Sequence, residues 1–243
     1  MTAGPRALAL SLGDGATALA GGLLWLESSA SIVVADLHLG YEEAIGGALP
    51  LWSLDESLQR IATAIDAHRA RELVLLGDVL HHSRLSDAAG DRVVAAMRHL
   101  RSICSLIVVA GNHEGPTRGS ALLGDSVEEI ERAGMLLHHG DHPRIGGFRH
   151  IIGHLHPSVV LGGERSVPAF LSACELIVVP AATPYSRGLN ILTRDCRDAI
   201  GAYGARPSST QVIAATAEHC YPFGSIGELA RAARALRFPE RNG

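Results

Sequence analysis

The chain of 243 residues has no lysine; all 21 basic residues are arginine. Any anionic group it meets is therefore met by guanidinium, although the all-arginine set by itself reads as a compositional habit. Cysteine is sparse. Cys104, Cys174, Cys196 and Cys220 lie far apart with no C-x-x-C pair, which excludes a zinc finger, a dithiol redox motif and a disulfide framework. That usage fits a reducing cytoplasm, and Cys104 and Cys174, beside apolar runs, are expected to be buried thiols. No apolar run approaches the roughly 18 residues of a membrane span. The N-terminal apolar stretch after Arg6 is interrupted by Gly13-Asp14-Gly15 and shows no cleavage site, so neither a signal peptide nor a membrane anchor is expected. The formal charge of −4 does not imply a non-specific nucleic-acid coat, and leaves a local arginine patch open. A hydrophobic fraction of 47% excludes a disordered chain. Aromatics are few: 4 Phe, 4 Tyr and 2 Trp are outnumbered by 13 His. Histidine is the commonest metal ligand and titrates nearest neutral pH, so this surplus asks for an explanation.

Short β-rich runs alternate with amphipathic stretches. Ile32–Ala35, Leu73–Leu76 and Leu106–Val109 have buried-strand length and end on Gly or a polar residue. Between them, Ser53–His68 carries Leu54, Leu58, Ile61 and Ile65 at helical spacing, with Ser53 and Glu56 as a capping box. Asp87–Leu100 reads as a second helix with Val93, Val94, Met97 and Leu100 inward. Strand–helix alternation of this kind predicts an α/β sheet with helical crossovers. Further strands are expected near Met135–His138, His150–Gly153, Leu176–Val179 and Leu189–Leu192, with Ala199–Tyr203 and Gln211–Ala215 as late edge strands. Ser225–Leu236 reads as a last helix, capped by Ser225 and Glu228. Without repeats or linkers, residues 1–243 are expected to form one domain.

The residues with chemistry sit where the strands end. In order they are Asp36-Leu37-His38, Gly77-Asp78, Gly111-Asn112-His113-Glu114, His138-His139-Gly140 and Gly153-His154-Leu155-His156. Open α/β sheets bind ligands beyond the carboxyl ends of their strands, so these five elements can converge. Any one alone would be an ordinary turn or cap; five in this order are hard to obtain by accident. Residues two apart on an extended segment point to the same side, so each D-x-H or H-x-H pair can serve one metal or two adjacent ones. Carboxylate, imidazole and amide oxygen form a mixed N/O set suited to Mn²⁺, Fe or Zn²⁺.

The series D-x-H, G-D, G-N-H-E, H-G and G-H-x-H over residues 36–156 resembles the calcineurin-like metallophosphoesterase superfamily. The wider context, Ala35–Glu43, Leu76–His81 and Ile177–Ala181, is similar to the small bacterial and archaeal branch that includes ligase-associated, PdeM-type DNA-repair phosphoesterases. The resemblance implies a layered α/β/β/α sandwich with mixed sheets and the active site at strand C-terminal ends. It implies two divalent ions, Mn²⁺ first. One would be held by Asp36, His38, Asp78 and His156, the other by Asp78, Asn112, His139 and His154, with Asp78 bridging. A hydroxide between the metals would attack phosphorus, and His113, beside the metals, would stabilise charge or protonate the leaving oxygen.

Where many members carry G-D-x-x-D, this chain has His81, which can donate to a phosphate or orient Asp78. Arg84, Arg118 and Arg187 lie on expected loops and can clamp a phosphate. His138 should point away from the site, and His68, His99, His142, His150 and His219 are read as surface or satisfied polar groups. The implied enzyme hydrolyses phosphodiesters, with single-stranded or damaged DNA as the branch's substrate. A DNA-repair partner and a homo-oligomer are compatible with that branch. A small nucleotide is the alternative substrate. A catalytically weak metal-binding scaffold is the alternative of another class, and the competent residues at all eight ligand and catalytic positions speak against it.

Overall fold

The computed structural model describes residues 8–44, 52–82, 85–113, 121–144, 146–161, 165–183, 185–186 and 188–237. Strands β1 (Ala9–Gly13), β2 (Ala16–Leu19), β3 (Leu23–Leu26), β4 (Ser31–Ala35), β5 (Glu72–Leu76) and β6 (Ser105–Val109) form one sheet in sequence order. The first four pair antiparallel, and β4, β5 and β6 pair parallel, so three carboxyl ends lie side by side. The second sheet runs β13 (Leu189–Asn190), β10 (Pro157–Leu161), β11 (Arg165–Ser172), β12 (Leu176–Val178), β9 (Arg149–Ile152), β8 (Met135–His138) and β7 (Glu129–Arg132). In it β14 (Gln211–Ala215) joins β11, and β15 (Cys220–Ser225) joins β14. Strands β8, β9 and β12 are parallel, which gives this sheet a second set of aligned carboxyl ends.

Period-two alternation divides the core into three layers. On β4 and β5, Ile32, Val34, Leu73 and Leu75 face helices α2 (Trp52–His68) and α3 (Asp87–Ile103). Their neighbours Val33, Ala35, Val74 and Leu76 face Leu137, Ile151, Phe170 and Ile177 of the other sheet. Beyond that sheet, Leu171, Val178, Val212 and Ala214 pack on helices α4 (Arg194–Gly201) and α5 (Ile226–Arg237). The order is helix, sheet, sheet, helix, as the sequence implied. Both faces of each central strand are covered, which is why those strands read as unbroken apolar runs.

The helices follow their punctuation. The Ser86 hydroxyl accepts the Ala89 N–H and starts α3. Val93, Met97 and Leu100 are buried as expected, while Val94 is half-buried and Ala96 takes the inward position. The Ser225–Glu228 capping box is formed in both directions, at 2.7 Å from Ser225 N–H to Glu228 and 3.2 Å from Glu228 N–H to Ser225. The side chain of Ser53, expected to cap α2, lies outside the described residues.

Several expectations need correction. Ala199–Tyr203 is not a strand, because its first residues belong to α4. Thr193 caps that helix, and Cys196 and Ile200, four apart, bury one face. Gln211–Ala215 is a strand but not an edge, since it pairs on both sides. The Leu189–Leu192 strand stops at Asn190, whose side chain accepts the Leu192 N–H and turns the chain. Cys174 is exposed in the turn between β11 and β12, whereas Cys196 and Cys220 are the buried thiols. Gly13-Asp14-Gly15, read as an interruption, turns β1 into β2, with φ of +86°, +52° and +74°.

Candidate metal centre

Five of the eight candidate residues follow strand ends on left-handed backbone. Among the described residues, nine non-glycine residues have positive φ, and Asp36, His38, Asp78, His154 and His156 are five of them. Such backbone costs roughly 1–3 kcal/mol per residue and persists where the surroundings over-determine it. The expected convergence of D-x-H and H-x-H thus arises from left-handed turns, not from extended segments. The loops after β4 and β5 lie parallel: His38 N–H donates to the Asp78 carbonyl at 2.9 Å, and Leu39 N–H to that of Val79 at 2.8 Å.

The two buried carboxylates are used alike. Asp78 Oδ1 accepts the Asn112 and His113 N–H groups at 2.9 and 3.1 Å, which pins the loop after β6. Its Oδ2 faces His139 Nε2 at 3.4 Å and His113 Nε2 at 3.7 Å. Asp36 Oδ2 accepts the His154 N–H at 2.8 Å and so joins the two sheets. Asp36 Oδ1 has no hydrogen-bond partner and faces His156 Nε2 at 3.4 Å and His139 Nδ1 at 3.8 Å. One oxygen of each carboxylate thus holds backbone while the other is turned towards imidazoles.

The imidazoles converge without the geometry of a hydrogen-bond network. His38 Nε2 and His156 Nε2 lie 3.3 Å apart, as do His139 Nε2 and His154 Nδ1 at 3.1 Å, and Asn112 Oδ1 is 2.9 Å from the same His139 nitrogen. Ligand atoms of Asp36, His38 and His156 lie within 4.8 Å of one another, and so do those of Asp78, His139 and His154. Buried and half-buried nitrogens aimed at one another, together with an unpartnered buried carboxylate oxygen, fit divalent cations as their common partner. Glycine makes the approach possible. A Cβ on Gly77, at φ +75°, would lie 2.1 Å from His139 Nδ1, and one on Gly153 would lie 2.5 Å from Asp36 Oδ2.

Charge follows the same division. Burial, reinforced by His156, pushes His38 down to about 4, so it is neutral and free to donate a lone pair at pH 7. Burial also lowers His154, helped by His139. Although burial opposes the charged form of Asp78, its bonds to His139 and the proximity of His113 hold it at about 2. His139 is raised despite its burial, because Asp78 and Asp36 favour a cation between them.

His113 and His81 sit at the mouth. His113 Nδ1 donates to the His81 carbonyl at 2.7 Å, leaving Nε2 as the atom that faces Asp78. His81 Nδ1 is 3.5 Å from His38 Nδ1, and burial and His113 lower its pKa. His138 turns away as expected. Its Nε2 is 3.3 Å from His150 Nδ1, and the pair is buried against Tyr203. Arg84, Arg118 and Arg187 lie outside the described residues, as does Glu114 of the third motif.

The structure adds residues that strand-end motifs could not reveal. Ala182 N–H donates to the Ala35 carbonyl at 2.9 Å, and that bridge carries the segment after β12 to the site. Thr183, Tyr185 and Ser186 there, with Tyr41 of helix α1 (Tyr41–Ala44), line a cavity of about 260 Å³ in front of the histidines. The sequence offered only Tyr41, within the Ala35–Glu43 context of the D-x-H motif.

A model of the calcineurin-like phosphoesterase family matches residues 31–174. The chain matches no curated protein by sequence. Among solved structures it is similar to the Pseudomonas putida nuclease MPE, at 21% identity and a TM-score of 0.64, over 86% of this chain and 94% of that one. It is also similar to Yfce, a phosphoesterase from E. coli, at 17% identity and a TM-score of 0.36, over 75% of this chain and 86% of that one.

Proposed function

The chain belongs to the calcineurin-like phosphoesterase family and is a metal-dependent phosphoesterase; from that premise we propose that it cleaves phosphodiesters of single-stranded or damaged DNA with two manganese ions. Asp36, His38, Asp78 and His156 would hold one ion, and Asp78, Asn112, His139 and His154 the other. The single observation that carries this reading is the turned carboxylate pair. Asp36 Oδ1 and Asp78 Oδ2 are left facing imidazole nitrogens of His156 and His139 at 3.4 Å while their other oxygens bind backbone.

Bound divalent ions supply Lewis acidity at the phosphoryl group and a nucleophilic water, so the chain needs no nucleophilic side chain. Its own residues do the rest. Ser186 Oγ, 2.8 Å from His156 Nδ1, fixes that ring so that Nε2 faces Asp36. His113, held at Nδ1–H by the His81 carbonyl, would in its doubly protonated form give the Nε2 proton to the leaving oxygen and be left as the neutral imidazole. The nucleic-acid part of the proposal takes its support from the shared fold with a nuclease, and a role in DNA repair belongs to the same reading.

The test is a panel of single-stranded DNA, RNA, cyclic nucleotides, bis-p-nitrophenyl phosphate and phosphomonoesters under one Mn²⁺ condition. Diester hydrolysis should vanish with EDTA and return with Mn²⁺, with single-stranded DNA turned over in preference to phosphomonoesters. Preference for a cyclic or mononucleotide would replace DNA by a small nucleotide as substrate. No turnover of any ester by folded protein with any divalent metal would overturn the assignment.

A further inference from the structure

The wall that faces the candidate metal centre is aromatic. Tyr41 and Tyr185 are stacked, with ring centroids 4.9 Å apart and planes 12° from parallel. Tyr41 also meets the His81 ring edge-on at 4.7 Å, and His81 in turn meets His38 at 5.4 Å. A continuous rail of rings therefore leads from a candidate ligand out to the rim of the cavity. In a chain with only 4 Tyr, two of them stacked at this rim is a concentration that packing does not require, since neither is part of a hydrophobic core.

The rail is held in place. The Tyr185 hydroxyl donates to Glu42 Oε1 at 3.2 Å, and Glu42 is buried one residue after Tyr41 on the same helix. Glu42 is thus a positioning residue that locks the second ring against the first. Thr183, on the same segment, donates nothing aromatic but places Tyr185, whose N–H lies 3.4 Å from the Thr183 hydroxyl. What Tyr41 and Tyr185 offer a phosphate ester in this wall is π-surface for its organic group.

We propose that Tyr41 and Tyr185 form a stacking platform for the nucleobase attached to the scissile phosphate, so that the site takes unpaired nucleotides. This deepens the phosphodiesterase reading and rests on it. Every base has a π-face, and only a base free of its duplex partner and neighbours can lay that face on a protein ring. A cavity of about 260 Å³ has the scale of one small unit such as a nucleotide.

The test titrates thymidine 5′-monophosphate and 2-deoxyribose 5-phosphate, which share the sugar phosphate and differ in the base, into the Mn²⁺-loaded and the EDTA-stripped protein. The base should tighten binding roughly tenfold or more, the range of one base–aromatic stack. Tyr185→Leu should abolish that difference, whereas Tyr185→Phe, which keeps the ring, should retain it. In turnover, the ratio of kcat/KM for the p-nitrophenyl ester of thymidine 5′-phosphate over methyl p-nitrophenyl phosphate should fall by the same factor in Tyr185→Leu, through KM. Equal affinity for the two sugar phosphates, or an undiminished difference in Tyr185→Leu, would overturn the platform. Failure to hydrolyse either ester would overturn the phosphodiesterase reading instead, and the binding comparison would still decide the platform.

Discussion

Asp36 and His154 tie the two sheets together: Asp36 Oδ2 accepts the His154 N–H at 2.8 Å, while the other oxygen, Oδ1, has no hydrogen-bond partner and faces His156 Nε2 at 3.4 Å. The carboxylate is thus both a structural tie and part of a candidate cation site. The two duties reside on different oxygens and can be separated by substitution.

Asp36→Asn keeps an oxygen for the His154 N–H but replaces the charged Oδ1 face by an amide. The variant should fold with a Tm within a few degrees of the parent, bind about one metal equivalent in place of two, and lose roughly a hundredfold or more in turnover. Metal analysis after gel filtration together with hydrolysis of bis-p-nitrophenyl phosphate checks this. Two retained equivalents would remove Asp36 from the ligand set.

Asp78 is the more demanding case, because its Oδ1 already holds two backbone N–H groups and its Oδ2 faces both His139 and His113. Asp78→Asn leaves the loop contacts an acceptor but removes the charge shared by both proposed ion sites. Turnover should fall by about a thousandfold, with weaker binding of both ions, whereas Asp36→Asn weakens one. Equilibrium dialysis against Mn²⁺ distinguishes the two variants, and near-parental turnover would refute the bridging role.

His113 differs from both. Its ring is 39% exposed and anchored by the His81 carbonyl, outside the buried cluster. His113→Ala should retain both ions and lose roughly 10²–10⁴ in kcat, the range of a general acid. A leaving group that needs no proton, such as p-nitrophenolate, should shrink that loss relative to an alkoxide. Loss of an ion on metal analysis would move His113 among the ligands.

Much of this candidate centre was legible because its residues cluster where parallel strands end, and strand ends are marked by apolar runs meeting Asp, Asn, His and Gly. The motif order survived translation into space. What the sequence could not display is how the side chains converge: five of these residues occupy left-handed backbone, which pattern reading assigns to glycine. The tyrosine wall was hidden for a different reason. Tyr41 and Tyr185 are 144 positions apart, and long-range contacts such as the Ala35–Ala181 bridge bring their segments together. Ala199–Tyr203 misled because an apolar stretch of five cannot distinguish a strand from a buried helix end, and Thr193 held the missing signal.

Gly153 provides a test of packing at the site without a change of charge. Its backbone passes so close to Asp36 that a Cβ would sit 2.5 Å from Oδ2 and 2.8 Å from the Ala35 Cβ, with the Leu76 carbonyl at 3.2 Å. None of these can yield freely, since Ala35 and Leu76 are buried in β4 and β5. Gly153→Ala should displace the Asp36 carboxylate and weaken metal binding by about 10–100-fold, as loss of ligand support does elsewhere. Unaltered Mn²⁺ affinity would show that the Asp36–His154 tie tolerates movement.

At the opposite ends of the strands, Glu72 and Arg132 clamp the two sheets. Arg132 Nε and a terminal nitrogen each donate to Glu72 at 2.8 Å, and Ser31 donates to the same carboxylate at 2.8 Å. Burial works against the Glu72 charge, but these donors outweigh it and hold its pKa below the ordinary 4.5. A carboxylate lowered in the folded state contributes stability that is complete above its unfolded pKa and is lost as pH falls through the folded value. Glu72→Gln should therefore cost about 1–2 kcal/mol at pH 7, the scale of charge-assisted hydrogen bonds at a partly buried pair. The difference between parent and variant should stay constant down to about pH 5 and shrink as the pH is taken below 4.5. Urea unfolding of both proteins across pH 3–7 measures it. A difference that grew on acidification would mean that the clamp is held by something other than the ionised carboxylate.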